Sequence, residues 1–191
     1  MFTYTVNENI TLRHPELSDA PALFSLFDQN REHLTEWQDY PNKIQKLEDC
    51  EQFIRNHNHE LEEGKGLATL IVYQGEVVGM VYLDKIVSIL RKAEIGYWIA
   101  EAYQGKGIVT QSARGLMTYA FETLNINRLA LKFKRVSDEH ENSRSRRVAE
   151  RLGFTEEGIL RQDGMTKGVM MDMVMTSILA DEWHAIYKET V

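Results

Sequence analysis

Glu94-Ile95-Gly96-Tyr97-Trp98-Ile99-Ala100, followed almost at once by Gln104-Gly105-Lys106-Gly107-Ile108-Val109-Thr110, decides the fold of this chain. A strand-like run ends in a short glycine-bearing loop, and the loop opens into a helix. The helix is legible from Ala113, Leu116, Met117, Ala120, Phe121 and Leu124, which draw one apolar stripe at a period of about 3.6 residues. Thr110 stands at its first turn as an early-turn or capping residue. The first amides of any helix lack partners inside it, and the helix dipole makes that end attractive to anions. Gly105 and Gly107 let the backbone turn tightly and approach a ligand closely. Two readings stand side by side here: a phosphate-binding loop, or an ordinary strand-to-helix turn.

Working outward, residues 10–13 read as a short strand. Ser18 or Asp19 caps a helix with Ala20, Leu23, Phe24 and Phe27 on one face. Residues 30–42 are irregular and carry Trp37, Tyr40 and Pro41, and a helix over 47–62 ends near Gly64. Strands 68–73 and 77–83 form a hairpin through Gln74-Gly75-Glu76. Residues 91–100 and 128–136 are strands joined by the helix over 110–124, so they are expected to be parallel neighbours in a crossover. A helix over 142–152 stops at Gly153; strands 154–161 and 169–178 and a short helix over 181–188 close the chain. The expected fold is therefore α/β: a single mixed, mostly antiparallel sheet of six or seven strands, flanked by helices. Ligands are expected beyond the strand ends that feed the crossover helix. The whole chain, 1–191, reads as one domain with its core over about 10–180.

A net charge of −7 argues against general nucleic-acid binding. The charge is uneven: from Arg128 to Arg151 eight basic residues face four acids, Asp138, Glu139, Glu141 and Glu150. An acidic body with one basic segment suits a small anionic cofactor and a cationic second substrate. The lone Cys50 excludes an internal disulfide framework and a cysteine metal cluster, and no metal site is expected. No apolar run reaches membrane-spanning length and no signal-peptide pattern opens the chain, so a cytoplasmic protein is expected. His57 and His59, two apart on a helix, point in different directions and cannot share a metal. The methionines alternating through 169–176 read as core or as a subunit face, which permits a homodimer. Nucleotide hydrolysis is disfavoured because Lys106 is followed by Gly107 rather than Ser or Thr.

Gln104 to Val109 resembles the acyl-CoA loop, Gln/Arg-x-x-Gly-x-Gly/Ala, of the GNAT N-acetyltransferase superfamily. Asn142-x-x-Ser145-x-x-Val148-x-x-x-Leu152-Gly153-Phe154 resembles that family's second motif, with Glu157-Gly158 and Arg161 after it. Asn30-Arg31-x-x-Leu34-x-x-Trp37 and Glu182-Trp183 are similar to the Rim-type branch, which acetylates ribosomal-protein N-termini. Val109 departs from the pattern, which usually closes with Gly or Ala; the branched side chain narrows the loop only slightly.

The resemblance implies a set of roles. Coenzyme A would lay its pyrophosphate on the amides of Gln104, Gly105, Lys106, Gly107, Ile108, Val109 and Thr110. Its pantetheine arm would pair with backbone near Ile99, where the family's central strand bulges and splays from its parallel neighbour. Asn142 would hold the arm from the opposite side, or cap its helix, or both. An amide near Trp98, Ile99 or Ala100 would stabilise the oxyanion. By motif position Ser145 would protonate the departing thiolate or relay a proton to it, against the alternative of a helix serine bonding to the preceding turn. For the base, Asp163 is the nearest acid after the second motif; Glu94, on the same strand face as Gly96 and Trp98, is the competitor. Trp37 and Tyr40 either line the acceptor pocket or pack over the sheet.

The expected function is acetyl-CoA-dependent transfer of an acetyl group to a primary amine, foremost the N-terminal α-amine of a protein. An α-amine with a pKa of roughly 8 is partly neutral near physiological pH and needs only modest base assistance. Direct transfer with both substrates bound is expected, since no cysteine lies in the motifs. The alternatives are a small acceptor such as a polyamine or an antibiotic, or a coenzyme-binding sensor without transfer.

Overall fold

A computed structural model describes residues 2–135 and 142–187. Its single sheet holds, among those residues, β1 (Thr3–Thr5), β2 (Ile10–Arg13), β3 (Leu67–Tyr73), β4 (Glu76–Val87), β5 (Lys92–Ile99), β6 (Arg128–Arg135), β7 (Thr155–Thr166) and β8 (Val169–Leu179). The spatial order is β1-β2-β3-β4-β5-β6-β8-β7. Every neighbouring pair is antiparallel except β5 and β6, which the crossover helix α4 (Ile108–Glu122), numbered in chain order, joins as parallel strands. Eight strands replace the expected six or seven. The additional one, β1, is three residues long and pairs Thr3 with Arg13 at the sheet edge. So short an element carries no readable alternation. The expected strand end at Val136, the helix end at Lys188, and Asp138, Glu139 and Glu141 lie outside the described residues.

Helices cover both faces. On one lie α1 (Ala20–Gln29), α2 (Arg31–Thr35) and α3 (Leu47–Glu62), whose Leu23, Phe27, Leu34, Cys50 and Ile54 close over Leu70, Met80 and Trp98. On the other, α4, α5 (Ser143–Leu152) and α6 (Ala180–Tyr187) bury Leu116, Met117, Phe121, Leu152 and Trp183 against Val81, Ile95 and Leu131. Each fully buried Leu, Ile or Phe contributes about 1.5–3 kcal/mol. The segment over 30–42, expected to be irregular, folds into α2 and runs into a 3-10 turn at Tyr40–Lys43. The β3–β4 hairpin turns on Gln74 and Gly75, both at positive φ (51° and 90°), as a two-residue turn matched to strand twist requires. Among the described residues no helix is long and apolar enough to cross a membrane.

Two local devices shape the site. The first is the short parallel ladder: β5 pairs with β6 only from Lys92↔Arg128 to Glu94↔Ala130, so Ile95 to Ile99 have no partner strand on that edge. Gly79 draws this stretch of β5 toward β4. A Cβ on Gly79 would lie 2.3 Å from the Trp98 carbonyl oxygen and 2.8 Å from the Ile99 Cα. The second is a bulge in β7 between Leu160 and Gly164, where Gln162 takes a positive φ and donates its amide to Asp172 Oδ1 at 2.9 Å. Bulges re-aim side chains, and this one presents Asp163 to Lys132 Nζ at 3.0 Å. Near its start β7 is stapled to β6 by Arg128, which donates to Glu157, and Arg128 with Ser177 holds the Glu157 carboxyl down at about 2.

Candidate active site

Along the unpartnered edge of β5, backbone groups point alternately toward β4 and away from it. The Ala100 amide is bonded to the Val78 carbonyl at 2.9 Å, so it is not free to stabilise an oxyanion. Alternation leaves the Tyr97 carbonyl and the Ile99 amide on the open side, and Gln38 Nε2 donates to that carbonyl at 3.2 Å. Trp98 spans two environments, with its indole stacked on Phe27 (ring centroids 4.8 Å apart) in the α1–α3 core.

After β5 the chain makes a 3-10 turn, and Gly105 and Gly107 follow at φ 73° and 74°. Gly107 is the N-cap of α4, and the Gln111 amide returns to its carbonyl at 3.0 Å. The amides of residues 105–110 take no hydrogen bond among the described residues. This row of donors at the start of a 15-residue helix is an anion cradle.

The cradle opens into a cleft of about 470 Å³. Trp98, Ile99, Gln104, Gly105, Gly107, Ile108, Val109, Thr110 and Asn142, all expected to hold the cofactor, line it, as do Ser145 and Trp37. Ala100 and Lys106 do not; the Lys106 ammonium folds back over the Tyr103 ring, 5.0 Å from its centroid. Tyr40 is also absent from the wall. Its ring stacks on Phe53 and meets Phe27 edge-on, so it packs over the sheet, the second of the two roles expected for it.

The facing wall is α5. Asn142 caps it, its Oδ1 accepting the Ser145 amide at 3.1 Å, while the Tyr97 hydroxyl donates to the Ser145 carbonyl at 3.5 Å. Burial pushes the Tyr97 phenol well above its ordinary range, partly offset by Ser145. Arg144, Arg147 and Arg151 follow the helical repeat along this wall, and among the described residues no carboxylate lines the cleft. Their spacing was visible in the sequence as a helical stripe. In a chain of net charge −7, such segregation favours a ligand with several negative charges. The phosphates of coenzyme A fit this donor set: free amides at one wall, guanidiniums at the other.

Three long-range bonds tie the α2 region to this cleft. His33 Nε2 contacts Gln104 Nε2, Asn30 Oδ1 accepts the Glu101 amide at 2.9 Å, and Gln38 reaches Tyr97 as described. None of these partners was expected from sequence, because each pair is separated by 59 or 71 residues.

The two carboxylates expected to act as base, Glu94 and Asp163, do not line this cleft. They line a second cavity, about 270 Å³, together with Tyr82, Asp84, Lys85, Gly96, Lys132 and Met173. Lys132 Nζ lies 3.0 Å from Asp163 and 3.5 Å from Glu94, and Lys85 Nζ lies 3.0 Å from Glu94. Burial works to lower the Lys132 pKa, but the hydrogen bond it donates to Asp163 and the charge of Glu94 outweigh it, so the ammonium is held protonated. Asp84, which sequence reading did not single out, sits opposite Glu94 across the β4–β5 ladder. Burial pushes its carboxyl up to about 6, His57 and Lys85 lower it, and Glu60 and Glu94 raise it further. His57 is half-buried and bonded to Glu60 at 3.0 Å, whereas His59 is exposed, so the two diverge as their spacing requires.

Comparison with known proteins places this geometry. The acetyltransferase (GNAT) domain family matches residues 9–155. The putative ribosomal N-acetyltransferase YdaF of Bacillus subtilis is 39% identical over 184 residues, covering 96% of this chain and 98% of the relative. The spermidine N(1)-acetyltransferase of Escherichia coli is 27% identical over 180 residues, 94% of this chain and 91% of the relative. Among solved structures, the ribosomal alpha-N-protein acetyltransferase RimL in complex with coenzyme A superposes with a TM-score of 0.87 at 31% identity, covering 95% of this chain and 99% of that one.

Proposed function

The chain belongs to the GNAT acetyltransferase family, in its Rim-type branch, and on that premise we propose that the amine it acetylates is the N-terminal α-amine of a protein. It is an acyltransferase that takes its acetyl group from acetyl-CoA. One observation carries the site: the unpartnered edge of β5 runs straight into the free amides at the start of α4, inside a wall of arginines. The amides and guanidiniums bind the coenzyme's phosphates and orient its thiol end toward Ile99 and Ser145. The Ile99 amide is a preorganised donor for negative charge developing on the acetyl oxygen. Ser145, with its backbone fixed by Asn142 and Tyr97, keeps its hydroxyl on the cleft wall, where it passes a proton to the leaving sulfur. Trp37 and Gln38 form the acceptor-side rim of the same wall. We assign direct transfer with both substrates bound, since Cys50, the only cysteine, is buried away from the cleft.

The test is thiol release from acetyl-CoA with peptides bearing a free N-terminus, compared with the same peptides N-terminally blocked but carrying lysine. Release only with the free terminus is the expected result. Equal release with blocked peptides would overturn the α-amine assignment. A second reading, a polyamine acceptor, is favoured by the three carboxylates around the second cavity and by the likeness to a spermidine enzyme. Spermidine outcompeting the peptides would select it.

Ser145→Ala is expected to lower kcat at least about tenfold and to leave the Kd for acetyl-CoA within about twofold, since the backbone bonds at this position survive. Unchanged kcat would remove the hydroxyl from the reaction.

A further inference from the structure

Gln38 stands in for a missing strand. Where β5 has lost β6, the carbonyl groups of its free edge need donors from elsewhere. The Tyr97 carbonyl finds one in the Gln38 side chain, which reaches it at 3.2 Å from just past α2, 59 residues away in the chain. A carbonyl oxygen only accepts, so Nε2 of the side-chain amide faces Tyr97 and Oε1 faces away. That Oε1 is buried and meets no donor among the described residues. The Trp98 indole N–H, on the next residue of β5, is likewise buried without an acceptor among them. Buried polar groups are ordinarily satisfied, so the bond to Tyr97 is kept at a cost, with half of the Gln38 amide idle. The backbone at this position is held separately. The Gln38 main-chain amide donates to the Leu34 carbonyl at 2.9 Å, so the side chain can leave Tyr97 without unseating α2.

The donor substrate is spaced to take the same carbonyl. In acetyl-CoA the bonds C–S, S–C, C–C and C–N lead from the thioester carbonyl carbon to the first amide nitrogen of the arm. Along β5 the bonds C–N, N–Cα, Cα–C and C–N lead from the Tyr97 carbonyl carbon to the Ile99 nitrogen, the same number. Alternation turns that carbonyl and that amide to one side of the strand, with the backbone of Trp98 turned to β4. The widely spaced hydrogen-bond pair of an antiparallel ladder is built from two such stretches. With the acetyl oxygen on the Ile99 amide, the first N–H of the arm falls on the Tyr97 carbonyl, where Gln38 already sits. The arm also brings methylene groups along that edge, and a primary amide 3.2 Å from the same oxygen stands in their way.

Resting on the placement of the coenzyme given under the proposed function, we propose that Gln38 is a placeholder for the donor's arm: its side-chain amide holds the Tyr97 carbonyl in the free protein and yields it to the first amide of acetyl-CoA. No covalent bond changes; one hydrogen bond is exchanged for another. Gln38 is thus a positioning residue that acts through Tyr97. It also stands on the cleft wall beside Trp37, so the exchange alters that rim only when the donor's arm is in place. The nucleotide half of the coenzyme, which lacks the arm, leaves the bond as it is. The ties of Asn30 to Glu101 and of His33 to Gln104 lie outside the exchange and persist through it.

The test is calorimetry with acetyl-CoA and with its nucleotide half, 3′-phospho-ADP, on wild type and Gln38→Met, which keeps the side-chain bulk and removes the amide. Freed of its competitor, acetyl-CoA is expected to bind Gln38→Met about threefold to tenfold more tightly, the span of one ordinary hydrogen bond. Binding of 3′-phospho-ADP is expected to stay within about twofold of wild type. A side chain that merely packs the segment after α2 against the cleft predicts otherwise: weaker binding of both ligands, or no change in either. Acetyl-CoA affinity that is unchanged or lowered in folded Gln38→Met overturns the proposal, as does equal tightening for both ligands. Circular dichroism reports folding. Should the variant not fold, heteronuclear NMR of wild type decides. The Gln38 side-chain amide signals are expected to move with acetyl-CoA and to stay with 3′-phospho-ADP; movement with both ligands, or with neither, overturns the exchange. Failure of the coenzyme placement itself looks different, since wild type would then bind neither ligand.

Discussion

Gly107→Asp is expected to raise the Kd for acetyl-CoA by at least about a hundredfold, a loss of about 2.7 kcal/mol. Two effects add. Gly107 sits at φ 74°, a conformation costing a residue with a side chain about 1–2 kcal/mol. The larger effect is electrostatic. A carboxylate at the mouth of the amide row faces the diphosphate, and two like charges about 4 Å apart near a protein surface repel by about 4 kcal/mol. Space is not the obstacle, since a Cβ at Gly107 meets only the side-chain Nε2 of Gln111, at 3.6 Å. Gly107→Ala therefore keeps the strain without the charge and is expected to bind acetyl-CoA much better than the aspartate variant. Calorimetry on both, with folding checked by circular dichroism, measures the difference. A Gly107→Asp protein with near wild-type affinity would move the diphosphate away from these amides.

Gly79→Ala is expected to destabilise the fold by about 3 kcal/mol or more, lowering Tm by roughly 6–12 °C for a chain of this size. The added Cβ would be 2.3 Å from the Trp98 carbonyl oxygen and 2.8 Å from the Ile99 Cα, and both are backbone atoms. Relief requires moving β5 itself, which is the strand that borders the cleft, so weaker acetyl-CoA binding should accompany the lower Tm. Gly96→Ala offers the contrast. There the obstruction is the Tyr82 ring at 2.4–2.6 Å, a side chain able to swing away, so a smaller loss is expected. Thermal melts of the two variants decide the ranking; a Gly79→Ala protein melting within about 2 °C of wild type would mean that the close approach of β4 to β5 is not a constraint.

The crossover was legible because its signals are local and redundant. The 3.6-residue stripe of α4, the glycines before it and the β-rich runs on either side agree on one topology. The capping of α5 by Asn142 was legible for the same reason, as was the opposite facing of His57 and His59. What could not be read lay in contacts between distant segments. Alternation placed Glu94 on the face of Gly96 and Trp98, but nothing near it in sequence shows that Lys132 arrives from β6. Asp84 gives no local signal at all, since two of the charges that set its titration, His57 and Glu60, come from a helix more than twenty residues upstream. Tyr40 and Trp37 are equivalent as aromatic residues of a loop-like segment. Only the packing of Tyr40 against Phe27 and Phe53 separates them. Strand β1 was missed because three residues are too few to show a period.

The ties from Asn30, His33 and Gln38 to Glu101, Gln104 and Tyr97 have a kinetic corollary. The wall proposed to receive the amine is fastened to the turn before the amide row, so stiffening one end restrains the other. On the proposed reading, the expected order of addition is donor first, with nucleotide occupancy preparing the dock for the second reactant. Amide deuterium uptake across residues 30–38 should slow when acetyl-CoA alone is added, before any acceptor is present.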